Sequence, residues 1–446
     1  MTTLPPGPTT PHLVQALIAI LTPHRGMRQL RRRYGDAFMV KSPVFGRALV
    51  ISDPAEIKQL FQTGTDIAEN VQPNLGRVLG PGSMFALTGD DHRAQRKLLV
   101  PPFHGRRLAA MERIVEDETV REMATWPEGR PFPVLPSTMR ITLNAILRAV
   151  FGAEGAEFER LRELLPRLVA LGSGLVLLPT PRMTLPNWTP WGRFRALRRE
   201  YDVVVNRLID KVAADPDLEE RNDVLAMMLQ SSYDDGSRLT RGEIADQLLT
   251  LLAAGHETTA TTLAWAVERL RRHPAVLRAL AEEVDAGGRE LRDATIIELQ
   301  RIRPVIDAVG RNVRTDGFRL GRWTLPKGMN VLVSIDLIHD DPAVFPNPRT
   351  FDPSRFTGKR PDLYQWIPFG GGTRRCIGAA FATMEMNVVL RTMLRDFTLA
   401  PTGEPDERWH SRGVANAPAK GGIAVVHRRR GGAVSSSVTA STGAEA

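Results

Sequence analysis

The chemistry this 446-residue chain could perform starts from a single sulfur: Cys376 is its only cysteine, set in Phe369-Gly-Gly-Gly-Thr-Arg-Arg-Cys-Ile-Gly378. Three roles suit such a thiol: a buried structural residue, a nucleophile served by a histidine base, or a ligand to a metal or haem. Its neighbours favour the third. Gly370, Gly371, Gly372 and Gly378 remove bulk around the sulfur and permit φ > 0, as a loop pressed against a flat ligand would require. Arg374 and Arg375 favour the thiolate. The helical spacing that begins at Ala379 puts Cys376 just ahead of a helix N-terminus, whose backbone N–H groups also favour negative charge. A structural cysteine needs none of this, and the sequence offers no familiar local signature of a base for a nucleophile.

Two further stretches carry polar groups in unexpected places. Ala254-Gly-His-Glu-Thr-Thr259 interrupts a long apolar run of helical spacing. Gly255 and the hydroxyls invite kinking and back-bonding there. Asp90–Leu99 places His92 and Arg96 at i and i+4 on one helical face.

Taken together, these segments resemble the motifs of the cytochrome P450 family. Phe369-x-x-Gly372-x-Arg374-x-Cys376-x-Gly378 is similar to its haem-binding loop, and Ala254–Thr259 to the central helix that crosses the distal haem face. Glu298-Leu-Gln-Arg301 resembles the family's Glu-x-x-Arg pair, and Phe351–Phe356 the segment whose arginine, here Arg355, closes a buried ion-pair network with it. The resemblance runs from about Leu4 to Arg430. It implies a mainly α fold with a minor β portion, a helix-rich triangular prism with small sheets. It also implies haem b as cofactor and Cys376 as the axial iron ligand. Glu257 and Thr258 would serve proton delivery and oxygen activation, with Ala254 and Gly255 keeping the haem face clear. His92, Arg96, Arg311 and Arg374 would meet the haem propionates, while Phe369 and Gly372 belong to the cysteine loop. Glu298, Arg301 and Arg355 have structural roles.

The elements that must position these residues follow from periodicity and punctuation. Ala37–Ser42 and Arg47–Ser52 read as a hairpin joined through Pro43–Gly46. From Asp53 to about Leu299 nearly every long segment has helical spacing, including Met139–Phe151, Gly192–Ala214 and Arg241–Arg272. Strand signals return at Asn330–Asp336 and Gly422–His427. The short connection between Glu282 and Glu298 predicts a trimmed helix. Residues 1–430 form one domain, and from Gly431 a Gly/Ser/Ala-rich composition predicts disorder.

Composition limits the remaining roles. A chain 42% hydrophobic and 24% charged folds, and a single cysteine fits a reducing cytoplasm. His12–Leu21 is about half the roughly 20 residues a membrane span needs, so neither an anchor nor a signal peptide is expected. The net charge of +9 suits an acidic partner, but the arginines are dispersed and match no nucleic-acid module. The absence of a dinucleotide fingerprint and of a cysteine cluster sends the search for electrons to a separate ferredoxin and its reductase, with O2 and a lipophilic small molecule as substrates. The walls of the substrate pocket are expected from residues 70–85, 171–191, 305–309 and 414–417. Asp307, in apolar Pro-Val-Ile-Asp-Ala-Val, is the oddity: it could select a substrate, pair an arginine such as Arg303 or Arg311, or point away from the pocket into solvent, the reading adopted here.

Overall fold

The computed structural model describes residues 3–11, 14–15, 17, 23–42, 44–72, 74–152, 155–176, 178, 181, 183 and 185–429. The C-terminal tail and most of His12–Leu21 lie outside this set, as does part of the expected lid at 171–191. Six helices place the candidate residues: α1 (Pro23–Tyr34), α2 (Gly89–Leu99), α3 (Leu135–Phe151), α4 (Arg241–Arg272), α5 (Glu290–Ile302) and α6 (Ala379–Asp396). Five strands form the main sheet: β1 (Ala37–Ser42), β2 (Gly46–Ile51), β3 (Ala68–Asn70), β4 (Ala308–Val313) and β5 (Asn330–Ser334), in the order β1-β2-β5-β4-β3. Only β2 and β5 run parallel. The predicted hairpin is present, with Ser42 opposite Gly46.

Helix α4 is the spine. Its 32 residues span about 48 Å at 1.5 Å per residue. A capping box fixes its start: the Thr240 hydroxyl accepts from the Glu243 N–H at 3.3 Å, while the Glu243 carboxylate accepts from the Thr240 N–H at 2.7 Å. Pro274, just past its end, opens the next helix. Trp265 on α4 is fully buried in the helical core, and its indole N–H donates to the Asn416 carbonyl at 2.9 Å. A second core lies under the sheet, around Leu49, Ile51, Val331 and Val333. Between Asp285 and Glu290 the chain turns directly from one helix to the next through Gly287, at φ +74°. The trimmed helix expected there is therefore only a turn.

A buried ion pair locks the junction of helices and sheet. Glu298 and Arg301 on α5 are 0% and 1% exposed and join through two bonds of 2.7 and 2.8 Å. Arg301 also donates to the carbonyls of His339 at 2.9 Å and Pro348 at 2.7 Å. Arg355 approaches Glu298 at 3.6 Å, and the Asp352 N–H donates to the same carboxylate at 2.9 Å. His339 completes the lock: its Nδ1 lies 3.1 Å from the Arg301 carbonyl, and its Nε2 accepts from the Ile367 N–H at 3.1 Å. These bonds require the Nδ1–H tautomer, and burial lowers the imidazole to about 3, keeping it neutral.

Asp307 corrects the expectation of a solvated side chain. Strand β4 starts only at Ala308. Asp307 precedes it and faces His24 of α1 and Asp336 rather than an arginine or open water. Burial pushes its carboxyl up to about 6, His24 opposing and Asp336 adding to the shift. His24 lies 3.3 Å from Asp336 and its ring packs 4.3 Å from that of Trp409.

Removing one member of a buried pair strands the other charge. Arg301→Ala should cost about 3–5 kcal/mol in urea unfolding, whereas Arg349→Ala, which breaks a bridge whose arginine is 64% exposed, should cost under about 1 kcal/mol. Equal midpoints for the two variants would contradict this account of the lock.

Candidate active site

The loop before α6 is shaped by packing as much as by space for a ligand. Gly370 and Gly372 sit at φ +64° and +65°, a region that disfavours side chains. A Cβ on Gly371 would lie 2.1 Å from the Phe61 ring, and one on Gly372 would lie 2.3 Å from the Phe61 carbonyl. Three of the four glycines therefore answer to the loop's own turn and to Phe61. Gly378 is different: its φ is ordinary, at −85°, and a Cβ there meets no protein atom within 4 Å. The Cys376 N–H donates to the Phe369 carbonyl at 2.9 Å, closing the loop on itself, while the Phe369 ring rests edge-on against Trp366 at 5.9 Å.

The sulfur's electrostatics differ from the sequence expectation. Cys376 is exposed to solvent by area, yet the loop encloses it closely enough that burial raises its thiol above the usual value. The Gly378 N–H, Arg96 and Arg375 pull the other way. Arg374 is absent from that list because it turns to Glu69 of β3: both its Nε and its Nη2 donate to this carboxylate, and it also reaches the carbonyls of Met84 at 2.9 Å and Leu87 at 2.6 Å. Of the two flanking arginines, only Arg375 thus favours the thiolate, joined by Arg96 of α2, while Arg374 is spent on Glu69.

Three residues distant in sequence, His92, Arg96 and Arg311, converge beside the loop. His92 is 2% exposed and its Nδ1 has no hydrogen-bond partner. Burial first, then the charge of Arg374, lower it to about 4, so it is neutral near pH 7. Arg96, one turn along α2, makes no hydrogen bond or ion pair among the described residues, and burial lowers it. Arg311 of β4 is 6% exposed, donates to the Gly371 carbonyl at 2.9 Å and covers the Phe61 ring at 5.5 Å. Among the described residues it has no carboxylate partner, and burial lowers it to about 10. Of Arg96, Arg311 and Arg374, only Arg374 is paired with a carboxylate, Glu69, among the described residues, so the cluster carries surplus positive charge with unspent donors. Such an arrangement calls for an anion.

Helix α4 passes through Ala254–Thr259 without a break, so the predicted interruption is not there. Back-bonding is: the Thr258 hydroxyl donates to the Ala254 carbonyl at 2.8 Å. Ala254 is exposed and Thr258 half-buried although both stand mid-helix, and their i, i+4 spacing opens one face of α4. Gly255 does not share that face. A Cβ on it would meet Ile146 of α3 at 3.2 Å, so its smallness serves helix packing rather than a clear haem face. On the same α3 face, the Thr138 and Thr142 hydroxyls donate to the carbonyls of Ala260 at 2.9 Å and His256 at 2.8 Å, bracing α4 on both sides of the acid. Glu257 is 6% exposed and accepts from Arg412 Nε at 3.1 Å.

Sequence reasoning missed Glu69, Phe61 and Arg412. Each lies in an unremarkable local context, and only pairing across the fold gives it a role.

A sequence profile described as "Cytochrome P450" matches residues 5–425. Cytochrome P450 138 of Mycobacterium tuberculosis is 54% identical over 426 residues, covering 96% of this chain and 97% of that protein. Cytochrome P450 135B1 of the same organism is 38% identical, covering 98% and 94%. Among solved structures, a cyanobacterial CYP120A1 with retinoic acid bound superposes with a TM-score of 0.85 at 23% identity, covering 96% of this chain and all of that one. A cytochrome P450DA haem domain gives 0.82 at 22% identity, covering 96% and 98%.

Haem fits the residues present: a planar dianion answers the surplus charge around His92, Arg96 and Arg311, and the open space at Gly378 suits a flat edge. Gly378→Ala should fold with an unfolding midpoint close to wild type, because its Cβ meets no protein atom, yet retain markedly less haem per chain when purified. Gly371→Ala should lose stability before any cofactor is added. Full haem content in Gly378→Ala would remove that position from the cradle.

Proposed function

The chain belongs to the cytochrome P450 family, whose members are monooxygenases, and from that premise we propose that it inserts one atom of O2 into a lipophilic small molecule, with electrons from a separate ferredoxin and its reductase. The observation that carries this reading is the surplus of unspent cationic donors beside a lone cysteine, in a chain whose helix α4 carries an adjacent acid and hydroxyl. The cofactor would be haem b, with Cys376 as the residue that holds its iron and His92, Arg96 and Arg311 as the residues that would meet its propionates, Arg374 lying alongside on Glu69. When bound, a thiolate-ligated haem supplies an oxidant strong enough for unactivated C–H bonds.

The protein's own part is to move protons and exclude water. Thr258 spends its proton on the Ala254 carbonyl, which leaves its oxygen lone pairs free to accept from a donor on the open face of α4. Glu257 is anchored by Arg412, whose side chain is 35% exposed, so the pair joins a buried carboxylate to the surface. Exchange of Glu257 between Arg412 and the hydroxyl beside it gives a route for protons drawn from solvent. The stretches that the family resemblance assigns to the pocket walls, residues 70–85, 171–191, 305–309 and 414–417, are rich in apolar residue types, which suits a lipophilic substrate. Exposed Arg375, next to the cysteine, offers a docking contact for an acidic electron donor. The lone cysteine, with no disulfide partner in the chain, fits work in a reducing cytoplasm.

The absorption spectrum of the reduced protein under carbon monoxide tests the ligand assignment: a thiolate-ligated haem moves the Soret band far to the red of a histidine-ligated one, and Cys376→Ala should lose that band. Its persistence in Cys376→Ala would overturn the assignment. Thr258→Ala should still bind haem and substrate but release reducing equivalents as hydrogen peroxide or water, lowering product per NADH consumed by roughly tenfold or more, in the range expected for a lost proton-transfer group. Unchanged coupling would take Thr258 out of the proton route.

A further inference from the structure

A second polar cleft, of about 320 Å³, opens between α1, the end of α5 and the strand Trp409–Ser411, and it shares no lining residue with the cysteine loop. Its walls present five guanidinium groups, on Arg25, Arg28, Arg301, Arg303 and Arg349, against three carboxylates, on Asp336, Asp340 and Asp406. His339, the remaining titratable group, is neutral. The lining therefore carries a net charge of +2 (five minus three).

Which of these donors remain unspent decides what the cleft can hold. Arg301 is consumed by Glu298 and by backbone carbonyls. Arg349 spends its fork on Asp340, at 3.1 Å to each oxygen. Asp406 is already shared by Arg269 at 2.6 Å and Arg303 at 2.9 Å, and Asp336 stands 3.3 Å from His24. Asp340 and Asp406 are therefore spent, while Asp336 keeps one buried oxygen without a hydrogen bond, between His24 at 3.3 Å and Arg28 at 3.8 Å.

The arginines of α1 are in the opposite position. Arg28 comes no closer than 3.7 Å to Asp340 and 3.8 Å to Asp336, beyond hydrogen-bonding distance. Arg25 is exposed and has no carboxylate partner among the described residues. The two lie at i and i+3, neighbours on one face of a helix that contains no acidic residue. Across the cleft, Arg303 is held against the rings of Trp265 and Trp409 at 5.2 and 5.6 Å, and its Nε has no acceptor. Burial and the neighbouring Arg269 lower it to about 10, with Glu268 and Asp406 opposing the shift.

Two guanidinium forks with free donors, an excess of positive charge and one aromatic wall match a tetrahedral oxyanion better than a halide or a metal ion. We propose that this cleft is a binding site for a phosphate-class oxyanion, free or as the head of an aryl phosphate monoester, with Arg25 and Arg28 donating to its oxygens and Trp409 flanking the organic part.

The test is calorimetric titration of the haem-loaded, full-length protein at constant ionic strength, with inorganic phosphate, phenyl phosphate and chloride as titrants. Saturable binding of one equivalent of either phosphate, and none of chloride, is expected. Phenyl phosphate binding more tightly than inorganic phosphate would identify a monoester as the ligand, and equal affinities would identify the free ion. In Arg25→Gln/Arg28→Gln, affinity should fall at least about tenfold, the equivalent of one lost charge-assisted hydrogen bond, with haem content unchanged. Should the double variant fail to fold, Arg25→Gln alone alters only an exposed, unpaired side chain and should weaken binding in the same direction. No saturable heat with either phosphate, or wild-type affinity in a folded variant, would overturn the proposal.

Discussion

A carboxylate and a guanidinium shut away from water hold this protein's halves together. Glu298 and Arg301 are essentially unexposed, and two buried charges are tolerated only when each finds full compensation. That requirement propagates. Arg301 seeks the carbonyls of His339, Pro348 and Thr350, so it pins the turn that follows β5 and the irregular segment that leads to Arg355. His339 answers Arg301 with one ring nitrogen and takes the Ile367 N–H with the other. From Ile367 the chain enters the glycine loop, where the Gly370 N–H bonds back to the Ile367 carbonyl and the Cys376 N–H to that of Phe369. The position of the sulfur is thereby tied, through a short series of hydrogen bonds, to an ion pair on another helix.

The site itself is built on the opposite condition, incomplete compensation. Around the cysteine loop the protein supplies guanidinium groups faster than carboxylates. It keeps His92 neutral with an unpartnered Nδ1, leaves Arg96 without a bond and buries Arg311 against Phe61 and a backbone carbonyl. In a stability-driven core these would be faults. In a site that takes an anionic planar cofactor they are unspent binding capacity. The same contrast separates two small residues of α4. Thr258 faces the open side, whereas Gly255, three residues earlier and about 60° round the helix, is used up in contact with α3.

Much of this was legible in the sequence where the signal was local. The spacing of apolar residues outlined α4 as Arg241–Arg272, the bounds the structure shows, because a helix repeats within itself. The hairpin of β1 and β2 was legible because its turn lies between its own strands. Strand β3, three residues long, was not, since its only reason to be extended is its pairing with β4, more than two hundred residues away. Asp307 misled for the same reason. The sequence pointed it into solvent, but the strand begins one residue later and the side chain turns to α1.

Residue type and order alone determined which family of chemistry this chain can perform: a lone thiol among glycines, an acid and a hydroxyl inside an apolar helix, and a Glu-x-x-Arg pair are covalent facts that no folding can alter. Only the tertiary structure decided how the charges are spent. Arg374 and Arg375 are equivalent neighbours of Cys376 in sequence, yet one is drawn to Glu69 and the other is left at the surface. Glu257 received its partner from Arg412, and Gly371 its constraint from Phe61. Coulomb energy and steric overlap depend on distances through space, and those distances are set by packing between segments whose separation along the chain carries no information about them.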